Sequence, residues 1–124
     1  VNDQMVLNID VAPTLLSWAG VTVPQQMQGV SMVPLVRGRD VDWRKDFFCE
    51  NRFCLDSQPY PMCEGARTER WKYIRYSDPE PVYEELFDLA NDPRETVNLA
   101  VRGEHAQTLA SLRARCDELL RAAQ

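Results

Sequence analysis

Alternating apolar and polar residues between Cys63 and Leu99 constrain this chain more than any other feature. The run CEGARTERWKYIRY is followed by a short polar break and then YEELFDLANDPRETVNL. In an extended strand, Trp71, Tyr73 and Arg75 share one face, and Lys72, Ile74 and Tyr76 share the other. Tyr83, Glu85, Phe87 and Leu89 alternate in the same way. Ser77-Asp78-Pro79-Glu80-Pro81 between the two runs is turn chemistry that cannot continue a ladder. The spacing predicts two antiparallel strands. A third runs over Glu64 to Thr68 and turns at Glu69-Arg70, although that turn lacks the Asn-Gly or Asp-Gly usual in a two-residue hairpin loop.

Asp46 to Asn51 (DFFCEN) reads as a further strand, and Arg52 to Met62, with Pro59 and Pro61, as a long irregular connection. Leu109, Leu112, Cys116, Leu119 and Ala123 recur at three- and four-residue spacing. They form one apolar stripe on a terminal helix from Glu104 to Ala123. That helix is expected to cover one face of the sheet. Between strand and helix, Asp92-Pro93-Arg94-Glu95 has the residues of a capping box and predicts a helical turn over Pro93 to Asn98. Its Asp92 and Glu95 side chains would each accept from the other residue's N–H.

The opening of the chain has a different pattern. Met5 to Ile9 reads as a strand end, and VAPTLLSWAG as a helix of two to three turns with Gly20 at its C-terminal cap. Val21 to Gly29 reads as a loop in which Gly29 takes a positive φ. Ser31 then caps a short helix that Arg37-Gly38 ends, and Asp40 to Asp46 is polar and solvated. One strand and one helix cannot bury both their faces, so this opening resembles the end of a larger α/β sheet. The division expected is 1–39 for that end and 40–124 for an α+β unit. The latter is a small antiparallel sheet of three to four strands packed against a C-terminal helix.

The 124 residues carry a net charge of −5, which argues against an electrostatic nucleic-acid footprint. No apolar run approaches the ~20 residues of a membrane span. The chain starts without Met, as though it continues something longer. The four cysteines include no C-x-x-C pair, which disfavours zinc. Cys116 fits a core position, while Cys54 and Cys63 could pair across the proline-containing loop or remain thiols. His105 reads as a surface residue.

Several pieces in order resemble the C-terminal end of the sulfatase family, in the alkaline-phosphatase-like superfamily. They are Asp10-Val11-Ala12-Pro13-Thr14-Leu15-Leu16 with Ala19-Gly20, and Gln28-Gly29-Val30-Ser31. Arg67-Thr68, Trp71-Lys72-Tyr73-Ile74, Glu85-Leu86-Phe87-Asp88-Leu89, and Asp92-Pro93 with Glu95 and Asn98-Leu99 follow. The resemblance implies hydrolysis of sulfate esters or sulfamates by a larger enzyme that uses a formylglycine nucleophile and a divalent cation, usually calcium. It suggests a periplasmic or secreted setting and a sulfated small molecule or carbohydrate as substrate. The formylglycine would arise from a C/S-x-P/A-S/A-R motif, which none of Cys49, Cys54, Cys63 and Cys116 begins.

The nucleophile and metal ligands are therefore expected in a missing N-terminal catalytic part. No catalytic residue or metal ligand is assigned in this chain, and the isolated piece is expected to be inactive. The candidate substrate-binding residues are Glu50, Asn51 and Arg52. A carboxylate, an amide and a guanidinium at a strand end suit sugar hydroxyls or a second anionic group. Arg67 and Lys72 are expected to support the sheet. The alternatives are a non-catalytic binding or scaffold module derived from that subdomain, or the equivalent part of a phosphate or phosphonate ester hydrolase.

Overall fold

The computed structural model describes residues 2–51, 62–77 and 80–123. They fall into two compact units, Val1–Arg44 and Lys45–Gln124. The division lies after Arg44 rather than after residue 39.

In the second unit, strands β1 (Asp46–Asn51), β2 (Cys63–Thr68), β3 (Trp71–Tyr76) and β4 (Tyr83–Asp88) form an antiparallel sheet in chain order. Phe48 lies opposite Ala66, Ala66 opposite Tyr73, and Tyr73 opposite Leu86. This register gathers the apolar members of all four strands on one face. Helix α3 (Ala106–Ala123) closes that face with Leu109, Leu112 and Cys116, as its sequence stripe predicts. Ala66, Tyr73, Leu86 and Cys116 are fully buried. Each large apolar side chain buried here stabilises the unit by roughly 1.5–3 kcal/mol.

The β2–β3 hairpin does have a two-residue loop, closed without Asn-Gly. The Trp71 N–H donates to the Thr68 hydroxyl (2.9 Å), the Leu89 N–H donates to the Arg70 carbonyl (2.8 Å), and the Arg70 guanidinium grips Asp88 (2.7 Å). These partners supply what the loop sequence lacks. Beyond β4, Asn98 protects the sheet edge. Its side-chain oxygen accepts from the Leu86 N–H (3.1 Å), and its amide donates to the Glu84 carbonyl (2.9 Å).

The helical turn expected over Pro93–Asn98 does not form. Glu95 sits at φ 56°, outside the helical region, and its carboxylate meets Lys72 Nζ at 2.5 Å. The Asp92 carboxylate accepts from the Thr96 and Val97 N–H groups (2.7 and 2.9 Å), further along the chain than a capping box requires. A long-range ion pair has taken the glutamate that the local motif needed.

In the first unit, helix α1 (Val11–Trp18) ends at Gly20 as expected. Gly20 has φ 71°, its N–H reaches the Ser17 carbonyl, and the Val21 N–H reaches the Leu16 carbonyl, which is a Schellman cap. The short helix α2 (Val33–Val36) ends in the same way at Gly38. The strand end expected over Met5–Ile9 is instead coil followed by a 3-10 turn, Asn8–Asp10. A strand needs a ladder partner, and none of the described residues of this unit provides one. Gly29 does not take a positive φ. It is required because a Cβ there would lie 2.0 Å from the Ile9 carbonyl oxygen.

The segment expected to be solvated, Asp40–Asp46, supplies anchors. Trp43 is buried and its indole N–H donates to the Met5 carbonyl (2.7 Å). Arg44 forms a two-pronged pair with Asp10, and Asp46 pairs with Arg115 on α3 (2.7 Å).

Candidate functional site

The meander brings the end of β1, the start of β2 and the end of β3 to one end of the sheet. Glu50 and Asn51 are exposed there. With Met62, Cys63, Glu64 and Ser77 they line a cleft of about 210 Å³. The structure thus joins two of the three expected substrate-binding residues. Arg52 lies outside the described residues, as do Cys54 and the rest of the 52–61 connection. Cys63 is a free thiol, as are Cys49 and Cys116.

A second groove, of about 440 Å³, shares Glu64 and Ser77 with the first and continues along Tyr73, Arg75, Val82, Glu84 and Arg113. Its charges are held in pairs. Arg75 Nη2 meets Glu64 (2.6 Å) and Asp117 (2.7 Å). Burial opposes the charge on Arg75, but the two carboxylates outweigh it and raise its pKa. Arg113 Nε donates to Glu84 (2.7 Å), and the Tyr73 hydroxyl donates to the same carboxylate oxygen (2.6 Å). Arg113, and then the Tyr73 hydroxyl, hold the Glu84 carboxyl below its usual range. Burial, together with the neighbouring Glu84, raises the Tyr73 phenol, so it stays a neutral donor.

The opposite face of the sheet carries Cys49, Cys63, Arg67, Lys72, Ile74 and Tyr76. Burial and the Glu85 carboxylate, which accepts from the Tyr76 hydroxyl at 3.0 Å, push the Tyr76 phenol up to about 12. Lys72, expected to support the sheet, meets Glu95 in the segment after β4 (2.5 Å).

The acidic residues of EELFDLANDP all have protein partners: Glu84 with Arg113, Glu85 with Tyr76, Asp88 with Arg70 and Asn91, and Asp92 with backbone N–H groups. Among the described residues, no three carboxylate, thiol or imidazole side chains converge as a metal cage. His105 is half-buried and stacks edge-on to Trp71, with ring centroids 5.7 Å apart.

Chemically, this end of the sheet offers hydrogen-bonding groups beside a cleft. It presents an exposed carboxylate and an exposed amide beside the cleft, and Arg75 and Arg113 behind it are held in ion pairs. Sequence reading placed Glu50 and Asn51 but missed Met62, Glu64 and Ser77. They were recoverable from topology, because in an antiparallel meander the end of one strand lies beside the start of the next.

A model of the family described as N-sulphoglucosamine sulphohydrolase, C-terminal, matches residues 1–122. Human arylsulfatase K is 34% identical over 110 residues, covering 80% of this chain and 19% of that protein. A protein solved in complex with its substrate D-glucosamine-2-N,6-O-disulfate superposes with a TM-score of 0.81 at 30% identity, covering 90% of this chain and 23% of that one. The phosphonate monoester hydrolase of Agrobacterium radiobacter shares the fold, with a TM-score of 0.76 at 24% identity, covering 93% of this chain and 25% of that one. The chain therefore spans about a fifth of the length of the curated relatives it matches.

Proposed function

The chain belongs to the N-sulphoglucosamine sulphohydrolase C-terminal family, and from that premise we propose that it is the C-terminal subdomain of a sulfatase. In this reading it completes the fold of an enzyme that hydrolyses sulfate esters and lines one side of the substrate cleft with Glu50, Asn51 and Arg52. The observation that carries the reading is the family match along residues 1–122. A sulfated glucosamine is the substrate class, supported by the bound substrate of the similar solved structure. The missing N-terminal catalytic part is the principal partner. The half-exposed Val11, Leu15 and Trp18 of α1 support this over a free-standing scaffold module.

Calcium and a formylglycine nucleophile are expected of the complete enzyme. This chain's described residues do not fit either group. No three metal-ligating side chains converge among them, and none of its cysteines begins the motif that is oxidised to formylglycine. The reading assigns both to the rest of the enzyme. Glu50, Asn51 and Arg52 then bind and orient the part of the substrate away from the bond that breaks.

Steady-state kinetics of the full-length enzyme test this. Arg52→Ala removes a charge-assisted contact worth ~1.5–3 kcal/mol, so KM for a sulfated glucosamine rises by about tenfold or more while kcat changes little. Unchanged kcat/KM across a panel of sulfated sugars and aryl sulfates overturns the assignment. Turnover of phosphonate esters in place of sulfate esters would move the enzyme to the phosphonate hydrolase branch with which it shares its fold.

A further inference from the structure

Two free thiols, Cys49 on β1 and Cys63 on β2, lie on the sheet face turned away from α3. Cys49 is opposite Gly65, and Cys63 is opposite Asn51, the last residue pair of the ladder. The two cysteines are therefore diagonal neighbours on one face. Both line a single, mainly apolar cleft of about 170 Å³ with Ile74. Neither is fully buried. Each lies within electrostatic range of the other, and Lys72 and Arg67 flank them on the same face. Burial pushes the Cys49 thiol up, and the two cations pull against it.

We propose that Cys49 and Cys63 form a dithiol modification site that a low-molecular-weight disulfide converts reversibly into a cross-strand disulfide. Diagonal neighbours in a sheet have Cα atoms roughly 7–8 Å apart. A disulfide tolerates up to roughly 6.8 Å. Closure requires the strand ends to approach by about 1 Å, a shift borne at the end of the sheet by the terminal Asn51–Cys63 pair and by Tyr76, which pairs with Cys63 from β3. A bond formed under such constraint is readily reduced, which suits a reversible modification rather than a structural staple.

The chemistry balances without a metal. One protein thiolate attacks a sulfur of the small disulfide, forms a mixed disulfide and releases one small thiolate. The second protein thiolate then attacks the protein-side sulfur, forms the Cys49–Cys63 bond and releases the second small thiolate. The two protons from the protein thiols end on the released thiols. The protein pair is oxidised and the small disulfide reduced.

The inference does not rest on the sulfatase reading, and its test reads bonds rather than activity. Full-length enzyme carrying Cys54→Ser is treated with glutathione disulfide, alkylated and digested with trypsin, which cuts after Lys45, Arg52 and Arg67. The expected product is peptide 46–52 linked to peptide 53–67, with alkylation of both cysteines lost together and restored by dithiothreitol. When Cys49→Ser is added to that variant, Cys63 retains its alkylation or carries only glutathione that dithiothreitol removes. Full alkylation of both cysteines in the treated Cys54→Ser enzyme overturns the proposal. So does a Cys63 linked to any cysteine other than Cys49.

Discussion

Asp10 offers the sharpest test of how the first unit is held together. Its side chain is 0% exposed, and its two oxygens accept from four donors. They are the Leu7 N–H (2.8 Å), the Val30 N–H (2.8 Å), and Nη1 and Nη2 of Arg44, the latter at 2.7 Å. One carboxylate thus ties together three segments that are distant in sequence. Asp10→Asn keeps the shape but replaces one acceptor oxygen with an NH2 that faces donors. About two charge-assisted bonds are lost, at ~1.5–3 kcal/mol each, and Arg44 is left underpaired, so the expected cost is ~3–6 kcal/mol.

Urea unfolding of the full-length enzyme measures the cost of that substitution. Hydrogen exchange reports whether protection is lost specifically at Leu7 and Val30. Burial raises the Asp10 pKa, but Arg44 and the two N–H groups outweigh it, so its folded pKa lies below the ordinary value. The stabilisation is therefore fully present above the unfolded carboxylate pKa of ~3.9 and is lost as pH falls below it toward the folded value. The stability difference between the unsubstituted protein and the Asp10→Asn variant should persist from neutral pH down to about 4 and shrink below that. A cost under about 1 kcal/mol, or unchanged protection at Val30, would refute the reasoning.

Three further substitutions probe packing. Leu112→Ala removes a buried side chain between α3 and the sheet and should destabilise the second unit by ~2–5 kcal/mol in urea unfolding, because the rigid sheet cannot collapse into the space. Gly29→Ala drives a methyl into the Ile9 carbonyl and should cost ~1–3 kcal/mol or more, whereas Gly103→Ala, with nothing near its Cβ, should be close to neutral. Equal thermal stability of Gly29→Ala and Gly103→Ala would show that the close approach at Gly29 is not required.

The candidate site was half legible in advance. Glu50 and Asn51 stand at the end of a strand whose alternation is plain in DFFCEN, so their exposure followed from period and position. Met62, Glu64 and Ser77 carry no local signal, because they belong to other segments and reach the cleft only through the register of the antiparallel pairing. The pairing of Arg113 with Glu84 and of Arg75 with Asp117 likewise joins α3 to the sheet across long stretches of chain. No local pattern announces such a pair.

The sequence by itself determined the four strands, the terminal helix and its buried stripe, and the helix stops at Gly20 and Gly38. Each depends on side-chain period or on the backbone freedom of a glycine within a few residues. Tertiary structure decided the rest. Asp92-Pro93-Arg94-Glu95 carries a helix signal, yet Lys72 draws Glu95 into a conformation that no helix allows. Trp43 and Arg44 sit in a polar stretch, yet Met5 and Asp10 hold them in place. Met5 to Ile9 has strand composition, but no strand forms among the described residues of its unit to pair with it. Where a partner decides the outcome, it lies more than twenty residues away. The hydrogen bonds that hold Trp43 and Arg44 each contribute about 0.5–3 kcal/mol, more than the few tenths of a kcal/mol that one residue's propensity adds.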